Sequence, residues 1–388
     1  MRLSSRLCGV GAVFIAALVV APVADAEWQK GVDAFTAKDY GTAVEEFQEV
    51  TETNPDYAGA YFMLGQAQSK AGQMSPALGN LRRAIELDGS NPQYAMALGQ
   101  ALVQARQYQE GFTVLKDIER NALNAQQRSI YALLYAKAAT EINRPGDAAR
   151  MLGAQIQSDS QNYRLHQALG VANDANGDDR SAFQSFKRGY ELKPDDSSLG
   201  RSAARSAIAV ARRSSSSQEK TRYYVEAGQL AEKVSNSTRS FDDYLLAGEA
   251  WLGAKRYESA LTWFGKAQAQ QSQNALVYFY RGQCYSSLNQ FDNSLNELQQ
   301  SLKFGPTGKL RRQLYNQLGY VYSKQRSYDN AINAYREAGN TAKVAEIQGI
   351  KGAHDQNVQA EADQREYERK MKELEEKMKE LEELGGGG

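Results

Sequence analysis

Histidine and cysteine are almost absent from this sequence, which has two of each among its 388 residues. His166 and His354 lie in different segments, and neither has cysteines or paired carboxylates around it at metal-ligand spacing. Because a zinc site needs several such ligands together, the sequence predicts no metal site. Once Cys8 is removed with the N-terminal segment, Cys284 has no partner for an internal disulfide, and we expect it to be a buried structural residue. We expect His166 to have a packing role.

An excess of positive charge is also absent, since 46 Lys and Arg residues balance 46 Asp and Glu residues. Phosphate backbones are bound by clustered basic side chains, so we expect no nucleic-acid partner. The chain lacks both the Gly-x-Ser-x-Gly nucleophile motif and the phosphate-binding Gly-x-x-x-x-Gly-Lys motif. No pair of carboxylates stands out for acid–base work. We therefore predict no cofactor and no enzymatic activity.

The N-terminus carries an apolar run at residues 10–20, preceded by Arg2 and Arg6 and followed by the small residues Ala24 and Ala26. A membrane-spanning helix needs about 20 apolar residues, so this run is short for a permanent anchor, which is the alternative. The pattern resembles a cleavable signal peptide, residues 1–26. We therefore expect cleavage after Ala26, export to the periplasm, and no integral membrane span in the mature chain.

A period of 34 residues governs much of the chain. Glycines recur at this spacing in the first half of each period, and small and large residues recur separately in the second half. The recurring positions are Gly31, Gly65 and Gly99; Ala43, Ala77 and Gly111; and Phe47, Leu81 and Leu115. The spacing of apolar residues within each period is helical, and so it predicts repeated pairs of helices joined by short turns.

These units resemble the tetratricopeptide repeat. "YFMLGQA" at residues 61–67 and "YNQLGYVY" at residues 315–322 match the motif of its first helix. "YGTAVEEF", "YESALTWF", "FDNSLNEL" and "YDNAINAY" match its second helix. The resemblance implies an all-α, right-handed solenoid of stacked helix-turn-helix hairpins with a concave face, followed here by a charged C-terminal helix.

The register of the motifs divides the chain into segments. We predict an N-terminal array at 27–196, a degenerate helical repeat or linker at 197–240, and a C-terminal array at 241–345. A capping and charged, coiled-coil-like helix follows at 346–384, and a glycine tail at 385–388. The fourth repeat, at 129–162, lacks the Leu-Gly pair and starts three residues late.

In the tetratricopeptide family the residue after the conserved glycine points into the concave groove. The resemblance places Gln66, Gln100, Glu249, Gln283 and Tyr320 there. A side-chain amide can donate to and accept from a peptide backbone together, so these positions suit an extended peptide. Alternatively, glutamine merely solvates an exposed helix face. One turn earlier, we expect three residues to form apolar pockets beside the amides: Phe62, Met96 and Phe279. The Lys and Asn set with which some family members hold the C-terminal carboxylate of cytosolic chaperones is absent.

The charged tail has apolar residues at alternating steps of four and three, which is a heptad pattern. The residues are Tyr367, Met371, Leu374, Met378 and Leu381. Pairs such as Glu366 and Lys370 would stiffen the helix. This segment predicts weak homo-oligomerisation, with docking on a partner helix, packing against the protein's own repeats and a solitary solvated helix as alternatives.

These features favour a non-catalytic scaffold or adaptor of the cell envelope that binds an extended segment or helix of a partner protein in its groove. A structural assembly factor of a secretion, pilus or outer-membrane complex is the second hypothesis. A cell-wall hydrolase or its regulator is the third, although no carboxylate pair supports it.

Overall fold

The computed structural model describes the backbone of residues 25–385 and the side chains of residues 26–379. Across the described backbone the regular elements are nineteen α-helices and one short 3-10 turn, Arg120–Ala122, with no strand. The predicted signal peptide lies outside the described residues, apart from its last two positions, which begin the first helix. Residues 386–388 of the glycine tail also lie outside them.

The chain divides into two compact units, Met1–Asp195 and Asp196–Gly388. In each unit the helices pair as antiparallel hairpins, a first helix followed by a second. The first unit contains α1 (Asp25–Thr36), α2 (Tyr40–Thr53), α3 (Ala58–Lys70), α4 (Met74–Leu87), α5 (Pro92–Gln104), α6 (Tyr108–Lys116), α7 (Ala125–Glu141), α8 (Pro145–Ile156), α9 (Tyr163–Ala175) and α10 (Asp179–Leu192).

The second unit contains four further hairpins and one unpaired final helix. They are α11 (Ser197–Arg213), α12 (Ser217–Thr238), α13 (Phe241–Gly253), α14 (Tyr257–Gln270), α15 (Ala275–Ser287), α16 (Phe291–Lys303), α17 (Gly308–Lys324), α18 (Tyr328–Glu337) and α19 (Thr341–Gly385). The segment 197–240 is thus a complete hairpin of two long helices.

Seven of the nine hairpins are closed by a glycine of the first helix and a large side chain of the second, sixteen residues later. A Cβ added to Gly65 would lie 2.7 Å from Leu81 Cγ. The recurring small residue of the second helix, Ala77, approaches this position with its backbone oxygen, at 3.1 Å. The close approach therefore comes from a large side chain seated on the glycine. The pairs are Gly31–Phe47, Gly65–Leu81, Gly99–Leu115, Gly170–Phe186, Gly248–Phe264, Gly282–Leu298 and Gly319–Tyr335.

The fourth hairpin keeps this contact pattern with alanine in place of glycine. Ala136 and Leu152 are sixteen residues apart, and both are buried. Its first helix, α7, begins at Ala125, four residues before the expected start of this repeat. The reason is a capping box, in which the side chain of Asn124 accepts from the Gln127 N–H and the Gln127 side chain accepts from the Asn124 N–H.

The turn inside a hairpin has a common form in eight of the nine hairpins. Its second residue has a positive φ, and the next N–H donates to the carbonyl five residues back, as Asp39 does to Ala34 at 2.9 Å. This Schellman turn satisfies carbonyls that the helix end would leave unpaired. The positive-φ residues are Lys38, Gly72, Arg106, Asn143, Gly177, Lys255, Asn289 and Arg326.

The hairpin of α11 and α12 is the exception. Ser214 is extended, and Ser216 caps α12 by accepting from the Glu219 N–H. Because a serine cap replaces the Schellman turn, the spacing of the motifs is lost in this hairpin. The segment nevertheless packs closely on α13, since a Cβ added to Gly228 would lie 2.7 Å from the Trp251 ring and one added to Gly253 would lie 2.3 Å from Tyr224.

Candidate functional site

The first helices of successive hairpins contact one another within each unit: α3, α5, α7 and α9 in one, and α11, α13, α15 and α17 in the other. The residue that follows the glycine in these helices is partly exposed. Gln66 and Gln100 belong to the first unit, whereas Glu249, Gln283 and Tyr320 belong to the second. We call the surface that these residues mark in each unit the first-helix face.

In the first unit, Gln66 on α3 and Gln100 on α5 are half-buried and lie on adjacent helices of the first-helix face. Among the described residues, no hydrogen bond holds either side-chain amide. One turn further along the same two helices, the Ser69 hydroxyl donates to Gln104 Oε1 at 3.1 Å and so joins α3 to α5. The first-helix face here therefore offers two amides with free donors and acceptors on a braced pair of helices.

The expectation of apolar pockets beside the amides is corrected by the burial of the three residues. Phe62 is 2% exposed, and Met96 and Phe279 are each 3% exposed. The Phe62 ring packs on Tyr94 of the next hairpin, with ring centroids 4.9 Å apart. Because each following hairpin covers this position, these side chains form the core between hairpins and cannot receive a ligand.

The second unit presents a different chemistry on its first-helix face. Glu249 of α13 is bound by the Arg212 guanidinium of α11, and so its carboxylate is already paired. Tyr280 of α15 stacks on Phe264, with ring centroids 5.2 Å apart. Burial raises the pKa of Tyr280 to about 12, with a further rise from the Glu249 charge and an opposing effect of Arg212. The phenol therefore stays protonated beside an ion pair.

A buried ionic cluster, which the sequence analysis missed, joins α11 to α13. Asp243 has no exposed surface, and its carboxylate accepts from Arg201 Nε at 2.6 Å and Nη2 at 2.8 Å. The hydroxyls of Thr238 and Ser240 each donate at 2.7 Å to Oδ2, the oxygen that also accepts from Arg201 Nη2. Burial alone would raise the pKa of Asp243, but these hydrogen bonds and the Arg201 charge lower it to about 2. The spacing of Ser240 and Asp243, typical of a helix cap, was the available signal.

Glu232 of α12 ties three helices together. Its Oε1 accepts from the indole N–H of Trp251 on α13 at 2.9 Å and from that of Trp263 on α14 at 2.8 Å. Both bonds satisfy partly buried donors that would otherwise lose their hydration. This cluster has a structural explanation and needs no ligand.

The described side chains include no group of three or more His, Cys, Asp or Glu that could hold a metal ion. His166 is buried, with Nε2 3.0 Å from the Ser160 carbonyl oxygen, and His354 lies edge-on to the Tyr328 ring. Cys284 is fully buried, and burial raises the pKa of its thiol to about 12, which disfavours the reactive thiolate.

The heptad residues of the C-terminal helix are exposed. Tyr367 is 62% exposed, and Met371, Leu374 and Met378 are 41%, 54% and 59% exposed. The side chain of Leu381 lies outside the described part. The expected Glu366–Lys370 pair forms at 2.7 Å. No helix within residues 25–385 combines the length and the apolar character that a membrane span requires.

Comparison with known proteins identifies repeats in both units. A family profile described as Tetratricopeptide repeat matches residues 34–101, and a second of the same description matches residues 313–338. The chain is 32% identical over 98 residues to the heat shock protein STI1 of Saccharomyces cerevisiae. This match covers 25% of the chain and spans only 16% of the yeast protein.

Two solved structures are similar at lower identity. The crystal structure of YrrB, described as a TPR protein with an unusual peptide-binding site, matches 53% of this chain and 98% of its own, with a TM-score of 0.43 and 18% identity. The C-terminal part of a TPR repeat-containing protein from Cytophaga hutchinsonii matches 64% of this chain and 94% of its own, with a TM-score of 0.47 and 15% identity. The predicted fold class is confirmed: the chain is an all-α array of helix hairpins that contains tetratricopeptide repeats.

Proposed function

We propose that this protein is a non-catalytic scaffold that binds an extended segment of a partner protein on the first-helix face of its first unit. The observation that carries the proposal is the pair of half-exposed, unpaired amides of Gln66 and Gln100 on neighbouring helices. A peptide amide has one donor and one acceptor, and a glutamine side chain satisfies both. Stacked repeats supply an extended surface for such a ligand.

The spacing of the helices sets the spacing of the contacts. Packed helices lie about 8–10 Å apart, and an extended chain advances about 3.3 Å per residue. We therefore expect Gln66 and Gln100 to contact peptide groups about three residues apart. The pairing of Glu249 with Arg212 makes the second unit a poorer site for the same ligand.

The test uses peptides selected from a displayed library on the purified full chain, followed by calorimetric measurement of their Kd. The double variant Gln66→Ala/Gln100→Ala should weaken binding about 10-fold or more, since two net hydrogen bonds are lost. The matched control Gln48→Ala/Gln109→Ala removes two exposed amides from the second helices α2 and α6, and should leave Kd unchanged. Equal affinity of both double variants for every selected peptide would refute this binding face.

The site of action in this proposal is the periplasm. The support is the sequence pattern of residues 1–26, a basic start, a short apolar run and small residues before Glu27. N-terminal sequencing of the protein from its native cell should show a mature chain that begins at Glu27. A chain that retains Met1 and stays with the cytoplasmic fraction would contradict the proposal.

A structural assembly factor is the second candidate function, and the exposed heptad residues of α19 favour it. The two proposals differ in where loss-of-function substitutions should fall. A scaffold that acts through its repeats loses function on changes at Gln66 and Gln100, whereas an assembly factor that acts through its tail loses it on changes at Leu374 and its neighbours. Complementation of a deletion strain with each set of variants distinguishes them.

A further inference from the structure

The last helix, α19, has a packed base and a free remainder. Ile347 is 4% exposed against α18, Lys351 Nζ lies 2.6 Å from Asp329, and His354 contacts the Tyr328 ring. From residue 355 to residue 379 every described side chain is exposed. The helix therefore leaves the repeats after its fourth turn, and the alternative in which the tail lies against the protein's own hairpins does not hold for these residues.

Because α19 is one uninterrupted helix, the heptad pattern of the tail extends back to its base. From Tyr367 the same steps of three and four lead to Gln364, Ala360, Asn357, Ala353 and Ile350. With Leu381 at the other end, the seam covers more than four heptads, or about 45 Å of helix at 1.5 Å per residue. The heptad register is thus continuous over more than the three to four heptads of an ordinary coiled coil, and its core positions are apolar except for Asn357 and Gln364.

The seam is not the face that packs on α18. Ile350 is 44% exposed and Ala353 is exposed, although both lie between the base contacts Ile347, Lys351 and His354 in sequence. At 3.6 residues per turn, Ile350, Ala353 and Asn357 point on average about 90° around the helix from Ile347, Lys351 and His354, so the seam lies beside the packed face and is distinct from it. A second helix could follow the seam down to Ile350 without displacing α18.

We propose that α19 forms a parallel, in-register coiled coil with the α19 of a second copy of this chain. The charges that flank the seam select this partner and this orientation. In a parallel pair, the residue just before each a position of the heptad (364, 371 and 378) faces the residue five positions further along in the other copy. This rule pairs Lys370 with Glu375, and Lys377 with the glutamate at position 382, each twice by symmetry. The pairing of Asp363 with Glu368 is the single unfavourable contact of this kind.

An antiparallel pair would bring together residues of the same flank. One flank carries only acidic charges along the free helix, at Glu361, Glu368 and Glu375, so every contact between these flanks would be repulsive. The polar core residue Asn357 adds to the preference, since in a parallel dimer it meets its own counterpart, and one buried asparagine pair is known to define register at some cost in stability. The helix is thus complementary to itself in one orientation.

Sedimentation equilibrium of the full chain between about 1 and 100 μM measures the association. Leu374→Glu places a carboxylate in the seam at a side chain 54% exposed in the single chain, so the repeats should remain folded while Kd rises on the order of 100-fold. The matched control is Val358→Glu, the same change at a residue 52% exposed on the same helix but off the seam, which should leave Kd unchanged. A wild-type chain that is monomeric throughout this range, or two variants that behave alike, would overturn the proposal.

Charge exchange tests the orientation. Lys370→Glu and Glu375→Lys should each weaken self-association, because each turns the attractive pair into two like charges. An equimolar mixture of the two variants should form a heterodimer of wild-type affinity. One chain then has an acidic residue at both positions 370 and 375 and the other a basic residue at both, so both contacts between the chains are attractive. Failure of the mixture to associate better than either variant alone would refute the parallel register, and dimerisation of a chain that ends at Gln356 would place the contact elsewhere.

Discussion

At the scale of single residues, hairpin packing depends on a glycine covered by a large side chain sixteen residues later. Gly65 and Gly79 belong to the same hairpin, but the space around their Cβ positions differs. A Cβ at Gly65 would meet Leu81 and the backbone of Ala77, whereas a Cβ at Gly79 would meet nothing within 4 Å. The first glycine is required by packing, and the second only lowers the helix propensity of α4.

We expect Gly65→Ala and Gly79→Ala to change stability in opposite directions. Gly65→Ala should lower the free energy of unfolding by about 1–3 kcal/mol through overpacking, reduced by the better helix propensity of alanine. Gly79→Ala should raise it by about 0.5–1 kcal/mol, because alanine restricts the unfolded chain without a clash. Urea titration followed by circular dichroism measures both, and a shared sign would show that Leu81 yields to the added methyl group.

The sequence identified the glycines correctly as recurring positions, because a fixed period is visible without a structure. It did not predict which first-helix side chains are covered by residues of the next hairpin. Gln66 and Phe62 are one turn apart on α3, yet Gln66 is half-buried and Phe62 is buried. The difference arises from Tyr94 in the next hairpin, and helical spacing carries no information about that contact.

At the scale of elements, the junction of α11, α12 and α13 has replaced the usual turn and motif with polar clusters. Asp243 receives four hydrogen bonds from Arg201, Thr238 and Ser240, and it has no exposed surface. A buried carboxylate is tolerated only when it is paired and hydrogen-bonded. The position of the Asp243 carboxylate therefore depends on all three partners.

This cluster predicts a loss of stability in acid. The pKa of Asp243 is about 2 in the folded chain against an ordinary value of 3.8, so its contribution to stability is nearly complete above about pH 5 and falls as the pH approaches 2. At 1.36 kcal/mol per pKa unit, about 2 kcal/mol should be lost between pH 5 and pH 2. In a Trp28→Phe background, fluorescence of Trp251 and Trp263 during urea unfolding reports on the second unit.

The comparison that isolates this effect is between Asp243→Asn and the exposed neighbour Asp242→Asn. The wild type and Asp242→Asn should lose about 2 kcal/mol more than Asp243→Asn over this pH interval, because only Asp243 is held ionised by partners. An equal acid sensitivity of all three proteins would mean that the Arg201 pair does not lower the pKa of Asp243 in solution.

At the scale of the whole molecule, α19 begins as the last packed layer of the second unit and continues as a free helix. Its base covers Ile332 and Tyr335 of α18 through Val344 and Ile347. The side chains of residues 356–379 are all exposed and so add no buried apolar surface to the repeats. The repeats and the tail can therefore carry separate interactions, one on the first-helix face and one on the seam.

Truncation should separate these two parts. A chain that ends at Gln356 should keep the melting temperature of the full chain to within about 2 °C, since the described side chains that it lacks, at residues 357–379, are all exposed. A chain that ends at Asn340 should melt at least several degrees lower, because Ile332 and Tyr335 lose their cover. Scanning calorimetry at one protein concentration decides this, and a large loss in the longer truncation would show that the free helix supports the repeats.

The sequence by itself determined the helix hairpins, their period, the glycine positions and the heptad steps of the tail, because each is a pattern within one or two helices. Only the tertiary structure decided which of these side chains are buried. It moved Phe62, Met96 and Phe279 into the core, paired Glu249 with Arg212, and buried Asp243 against Arg201. It also showed that α19 is continuous and that its residues 355–379 are exposed, so that the seam reaches back to Ile350. The physical reason is that burial depends on contacts between residues tens of positions apart, whereas helical periodicity reports only on neighbours within a few turns.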